Sequence, residues 1–116
     1  MNLGDLKTVN AEINEIPYET EIGDDWKPAV MGGTSDCDSY ATAKFERLVD
    51  MGWPTNFLRL ATCYVETGGY HAVLLVDWDG QTWVLDNRHP LPMEYDLLPY
   101  KWHLLQVAGT QNWEHA

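Results

Sequence analysis

The hydrophobic period of the chain changes at Pro54, and no other feature constrains the fold as tightly. Before that proline, Tyr40, Ala41, Lys44, Phe45, Leu48 and Val49 recur with the spacing of an amphipathic helix. This helix is expected to start at Cys37, behind the capping-type residues Thr34, Ser35 and Asp36. It should close at Asp50-Met51-Gly52, where a glycine can take the left-handed conformation that ends helices. After Pro54 the pattern is that of strands: Leu58–Val65, Tyr70–Trp78, Gln81–Leu85 and Tyr100–Val107. Thr67-Gly68-Gly69 punctuates the first pair, and Asp79-Gly80 is a two-residue hairpin signal for the second. Asn87–Pro99 reads as a Pro-rich connection. Upstream, Val9, Ile13 and Ile16 predict a short helix over Asp5–Glu15 stopped by Pro17, and Tyr18–Met31 reads as irregular. A central helix followed by successive hairpins predicts an α+β fold, a meander-like antiparallel sheet packed on that helix.

A chain of 116 residues suits one domain, residues 1–116. Six Trp and six Tyr supply large buried areas to a small core. The net charge of -11, from 18 acidic residues against 7 Lys plus Arg, argues against nucleic acid and against an anionic membrane surface as partners. Two cysteines, Cys37 and Cys63, are too few for a disulfide framework. Met1–Asp5 shows no basic and apolar export pattern, and the apolar run Ala72–Val76 is too short to span a bilayer. These features lead us to expect a cytoplasmic protein with reduced thiols.

Chemistry concentrates in three places. Cys37 opens the predicted helix, where unpaired N–H groups and the helix dipole favour a thiolate, the nucleophilic form. His71 opens the second strand, expected at a sheet edge beside a cleft, where an imidazole can act as general base. Asp86 ends the third strand, and pairing Val76 or Trp78 with Trp83 across the hairpin runs it back toward His71. A carboxylate there can orient the ring. Taken singly, each residue has a plain structural role. A cysteine is most often a small buried hydrophobe, a strand-end histidine a hydrogen-bonding group, and Asp86-Asn87 a turn cap. The hairpin geometry joins them.

The run Gly33-Thr34-Ser35-Asp36-Cys37-Asp38-Ser39-Tyr40-Ala41, with Ala43-Lys44, Gly52 and Leu58-Arg59-Leu60, resembles the nucleophile segment of the bacterial transglutaminase-like cysteine proteases. His71-Ala72-Val73-Leu74 and Val84-Leu85-Asp86-Asn87 resemble that family's His and Asp segments in order and spacing. Val9-Asn10, Asn14, Ile16–Tyr18 and Trp26-Lys27-Pro28 are similar to its N-terminal region. The resemblance implies a papain-like or transglutaminase-like fold and a Cys37-His71-Asp86 triad cleaving peptide bonds in a protein substrate. It requires no cofactor for the chemistry. In the adhesin-releasing members acidic residues around the Cys bind calcium, which points to Asp36 and Asp38; Ser39 stands where another acidic residue is usual. Calcium prefers six or more oxygen ligands. Compact members without an export signal resemble those carried by bacteriophages.

An oxyanion hole would draw on the Cys37 N–H, with the Trp26 indole as a second donor or else a core anchor. Cys63 reads as a packed strand residue, and His89, His103 and His115 make no zinc-ligand spacing. The same triad would serve acyl transfer to an amine or amide hydrolysis, and a catalytically silent inhibitor or adaptor on a protease scaffold is a reading of a different class. Neither the substrate nor the oligomeric state is legible.

Overall fold

In a computed structural model of the chain, residues 1–15 and 35–116 are described, with side chains from residue 39 onward in the second stretch. Among the described residues, two helices pack against one six-stranded antiparallel sheet. Helix α1 spans Leu3–Asn14 and α2 spans Ser35–Asp50. The strands are β1 Leu58–Tyr64, β2 Tyr70–Trp78, β3 Gln81–Leu85, β4 Met93–Glu94, β5 Lys101–Gln106 and β6 Trp113–His115.

Helix α1 starts two residues earlier than Asp5, because Asn2 caps it: its side-chain oxygen accepts from the Asp5 N–H at 3.0 Å. Pro17 and the stretch Tyr18–Met31 lie outside the described residues. Helix α2 takes Ser35 and Asp36 into its first turn, where the sequence suggested caps. Its end follows the expected motif. Gly52 adopts φ 100°, and the Trp53 N–H reaches back to the Leu48 carbonyl at 3.0 Å, a Schellman closure.

Strands β2 and β3 have the bounds the alternation predicts, joined by Asp79 and Gly80 at φ 55° and 78°. Two positive φ values in succession make a turn whose twist matches the flanking strands. Val76 pairs with Trp83, as anticipated.

The simple meander does not hold. The strand order is β4-β3-β2-β1-β5-β6, so β5 leaves β4 and pairs with β1 at the far side of the sheet. The two-residue β4 escaped the sequence because a strand that short has no period to read. Between Glu94 and Lys101 the chain passes through a 3-10 turn at Tyr95–Leu97. That path reaches about 20 Å, and crossing four strand spacings takes about 19 Å. The connection is therefore a nearly taut strap.

Each face of the sheet carries its own apolar cluster. Leu6, Val9 and Ile13 of α1 and Ala41 and Leu48 of α2 bury Leu58, Leu60, Leu74, Val76 and Leu85. Strand residues of the opposite parity, Ala61, Cys63, Val73, Leu75 and Val84, pack under Leu98 and Tyr100 of the strap. Trp53, just beyond α2, packs on Trp78 at the last residue of β2, with ring centroids 6.4 Å apart. Its indole also donates to Asp5 of α1 at 3.1 Å. Among the described residues no helix is long and apolar enough to cross a membrane.

Candidate active site

His71 is the second residue of β2, an interior strand, so it sits at a strand end within the sheet rather than at its edge. Its ring shares the parity of Val73 and Leu75, on the strap side, and it pairs in register with Cys63 of β1. Asp86 follows the last residue of β3. The β2–β3 register places Asp86 diagonally from His71, and the side chains meet: Nε2 of His71 lies 2.6 Å from Oδ1 of Asp86.

Asp86 has no exposed surface and His71 is 8% exposed. A carboxylate so placed requires donors to replace water. Besides the ring, the Arg88 backbone N–H donates to Oδ1 at 2.9 Å and the Tyr100 hydroxyl donates to Oδ2 at 2.5 Å. Burial pushes the Asp86 pKa up, but the His71 hydrogen bond and charge, with the Tyr100 and Arg88 bonds, outweigh it and hold the group below 3.8. An ionised carboxylate can only accept, so Nε2 of His71 carries the proton of this bond. That fixes the tautomer in which Nδ1 is the basic nitrogen of the neutral ring.

Tyr100 is held in turn. Nη1 of Arg88 donates to its oxygen at 3.0 Å, while the same guanidinium grips both carboxylate oxygens of Glu66 at 3.1 and 2.9 Å. Burial first, and then the bond to Asp86, push the Tyr100 pKa well above its usual 10.0, so the hydroxyl remains a donor.

The helices reach the same spot from the other face. Nδ2 of Asn14 donates to the Asp86 carbonyl at 3.1 Å, and Nδ2 of Asn10 donates to the His89 carbonyl at 3.0 Å. Nζ of Lys44 donates to Oδ1 of Asn10 at 2.8 Å, and Lys44 is wholly buried.

Cys37 is the third residue of α2, in the turn whose N–H groups have no intrahelical acceptor. Its thiol lies outside the described side chains, as do Asp36 and Asp38, and Trp26 lies outside the described residues altogether. Among the described residues no group of three or more His, Cys, Asp or Glu could hold a metal ion. Cys63 is buried in β1, as expected of a packed strand residue.

The profile of the bacterial transglutaminase-like cysteine proteinases (BTLCP) matches residues 2–115. The chain belongs to that family. It is a cysteine peptidase, and its substrates are proteins. Among solved structures it resembles LapG of Legionella pneumophila, with a TM-score of 0.74 at 20% identity over 97% of this chain and 67% of that one. Calcium-bound LapG gives 0.71 at 26% identity, covering 97% of this chain and 71% of LapG. EGTA-treated LapG gives 0.68 at 20% identity, covering 97% and 70%. The likeness is that of a transglutaminase-like fold. No curated protein sequence matches the chain.

Sequence reasoning missed Tyr100, Arg88, Asn10, Asn14 and Lys44 as members of this network. Lys44 had a visible signal, a lysine on the apolar stripe between Ala41 and Leu48. Tyr100 had none, because only the strap brings it to Asp86.

Proposed function

We propose that the protein hydrolyses peptide bonds with Cys37 as nucleophile, His71 as general base and acid, and Asp86 as the group that orients the ring. The observation that carries this reading is the buried 2.6 Å His71–Asp86 hydrogen bond, with the carboxylate held by two further donors. The run of the chain supports the third member. Trp53 anchors the end of α2 at the far end of β2, so the helix runs back toward the strand end that carries His71.

In this mechanism Nδ1 of His71 takes the thiol proton. The thiolate of Cys37 attacks the carbonyl carbon, a C–S bond forms, and negative charge moves to the oxygen. The Cys37 N–H at the helix start would receive that oxyanion, with the Trp26 indole as a second donor. His71 returns the proton to the departing amine as the C–N bond breaks, leaving a thioester. Water, deprotonated by the same ring, then releases the acid and restores the thiol. Asp86 keeps the ring turned and stabilises the imidazolium in both halves.

LapG has been solved with calcium bound and after EGTA treatment. Asp36 and Asp38 are the residues that would hold calcium here, and Ser39 brings a neutral oxygen to the same turn. Two carboxylates fall short of the oxygen count calcium prefers, and the proton transfers need only the side chains of Cys37, His71 and Asp86.

The test is selective alkylation. Iodoacetamide near neutral pH should label Cys37 far faster than the buried Cys63. His71→Ala should remove that preference, and Cys37→Ala should abolish peptide cleavage. Equal slow labelling of both cysteines, or full cleavage by Cys37→Ala, would sink the reading. A product formed with an added amine but not with water would assign acyl transfer instead.

A further inference from the structure

Lysine is among the residues least often buried, and a buried ammonium calls for a partner. Lys44 has no exposed surface, on the α2 stripe between Ala41 and Leu48. Its ammonium donates to Asn10 at 2.8 Å. The Asn10 amide passes the contact on to the His89 carbonyl at 3.0 Å, and Asn14, one turn further along α1, grips the carbonyls of both Asp86 and His89 at 3.1 and 3.2 Å. A continuous hydrogen-bonded chain, buried at Lys44 and Asn10 and half-buried beyond them, therefore runs from α2 through α1 into the 86–89 turn.

Resting on the triad reading above, we infer that Lys44 is a positioning residue of this site. Through Asn10 its ammonium pins the turn that carries Asp86, and it gives that buried carboxylate a counter-charge that, unlike the half-buried His89 ring, is wholly shielded from water. The need is electrostatic. During turnover His71 alternates between imidazolium and neutral ring, so its charge cannot continuously balance an anion with no exposed surface. A second buried cation keeps Asp86 ionised while the ring is neutral. It also disfavours the imidazolium slightly, which helps the ring give its proton to the leaving amine.

Burial lowers the Lys44 pKa to about 7, while the charge of Asp86 pulls it upward, so the two groups sense one another. The other charged groups of this region are accounted for. Arg88 is tied to Glu66 and to the Tyr100 hydroxyl, and the His89 ring, about one-third exposed, lies 3.2 Å from the Tyr100 oxygen and 4.0 Å from Oδ2 of Asp86. Arg47 of α2 pairs with Glu12 of α1 at the exposed rim at 2.8 Å.

The test compares the full chain with its Lys44→Met variant, which keeps the unbranched apolar stem and removes the ammonium with its charge and its hydrogen bond to Asn10. NMR titration of the His71 ring should move upward by about half a unit or more, because a repelling positive charge is gone. The kcat should fall about tenfold while KM changes less than about twofold, the signature of a lost orienting effect rather than lost binding. Both readouts are required: a folded variant in which either matches the wild type overturns the proposal and leaves Lys44 a packing residue. Should Lys44→Met fail to fold, the Lys44 ε-carbon titration is followed in the wild type and in Asp86→Asn. Loss of the carboxylate charge should move it downward, and an unmoved titration overturns the proposal. The His71 titration is also read with Cys37→Ala in place. A ring displaced by Lys44→Met in that background, alongside undiminished cleavage by Cys37→Ala itself, would refute the triad reading and leave the coupling of Lys44 to the pair standing.

Discussion

The two faces of the sheet are built from similar apolar residues and do different work. The helix face closes Leu6, Val9, Ile13, Ala41 and Leu48 over Leu58, Leu74 and Val76, with the buried Lys44–Asn10 contact at one side of it. The strap face is smaller and ends in a polar knot, where Tyr100, Arg88 and the pair His71–Asp86 share hydrogen bonds. Apolar burial is non-directional and tolerates small shifts. Hydrogen bonds to a buried carboxylate are directional and costly to leave unmade. The apolar cluster of the helix face should therefore govern whether the chain folds, and the strap face, backed by the Lys44–Asn10 contact, whether the imidazole is correctly turned.

The largest expected effect breaks the strap face alone. Asp86→Asn should retain the fold yet lower kcat by about 10³- to 10⁴-fold, because the ring loses the acceptor that selects its tautomer. Steady-state kinetics beside a circular dichroism spectrum checks this. The same variant tests the pH dependence. The folded Asp86 has a pKa below 3.8, so the stability it contributes is present above that value and is lost as pH falls through the lower folded pKa. Acid unfolding should accordingly be less steep in Asp86→Asn.

Leu48→Ala attacks the other face. Leu48 is fully buried between the helices and the sheet, and its truncation should cost about 3 kcal/mol. Thermal or urea unfolding would register the loss, with kcat per folded molecule changed less than about twofold. A large fall in kcat at full folding would erase the distinction between the faces.

Tyr100→Phe sits between these cases. It removes one donor to Asp86 and should cost about 1 to 2 kcal/mol of stability. It should also lower kcat about tenfold, since Arg88 and His71 still hold the carboxylate. Equal kinetics in Tyr100→Phe and wild type would show that the strap only covers the core. The smallest effect expected is that of EGTA, which should change kcat/KM less than about twofold, because Asp36, Asp38 and Ser39 offer few oxygens. An activity that EGTA removes and calcium restores would place an ion at the start of α2.

Much of the fold was legible because its signals are local. The β2–β3 hairpin could be read from two strand-period runs around Asp79-Gly80, and its register then forecast the meeting of His71 and Asp86. The end of α2 could be read from Gly52, since few other residues adopt φ 100° readily. The crossing of β4–β5 was not legible. Strand pairing across the sheet is a contest among distant edges, and Tyr100–Val107 carries no local mark saying that β1 rather than β3 is its neighbour.

The sequence by itself marked both helices and the longer strands, and it offered Cys37, His71 and Asp86 as candidates for nucleophile, base and orienting acid, because period and side-chain chemistry are written residue by residue. The tertiary structure alone decided what surrounds Asp86. Its donors come from the β2 imidazole, the backbone of the following turn and the strap, and its carbonyl is held from α1. The ionisation of a buried carboxylate depends on the sum of those groups at close range. That sum exists only once the strap has crossed one face of the sheet and the helices have closed the other.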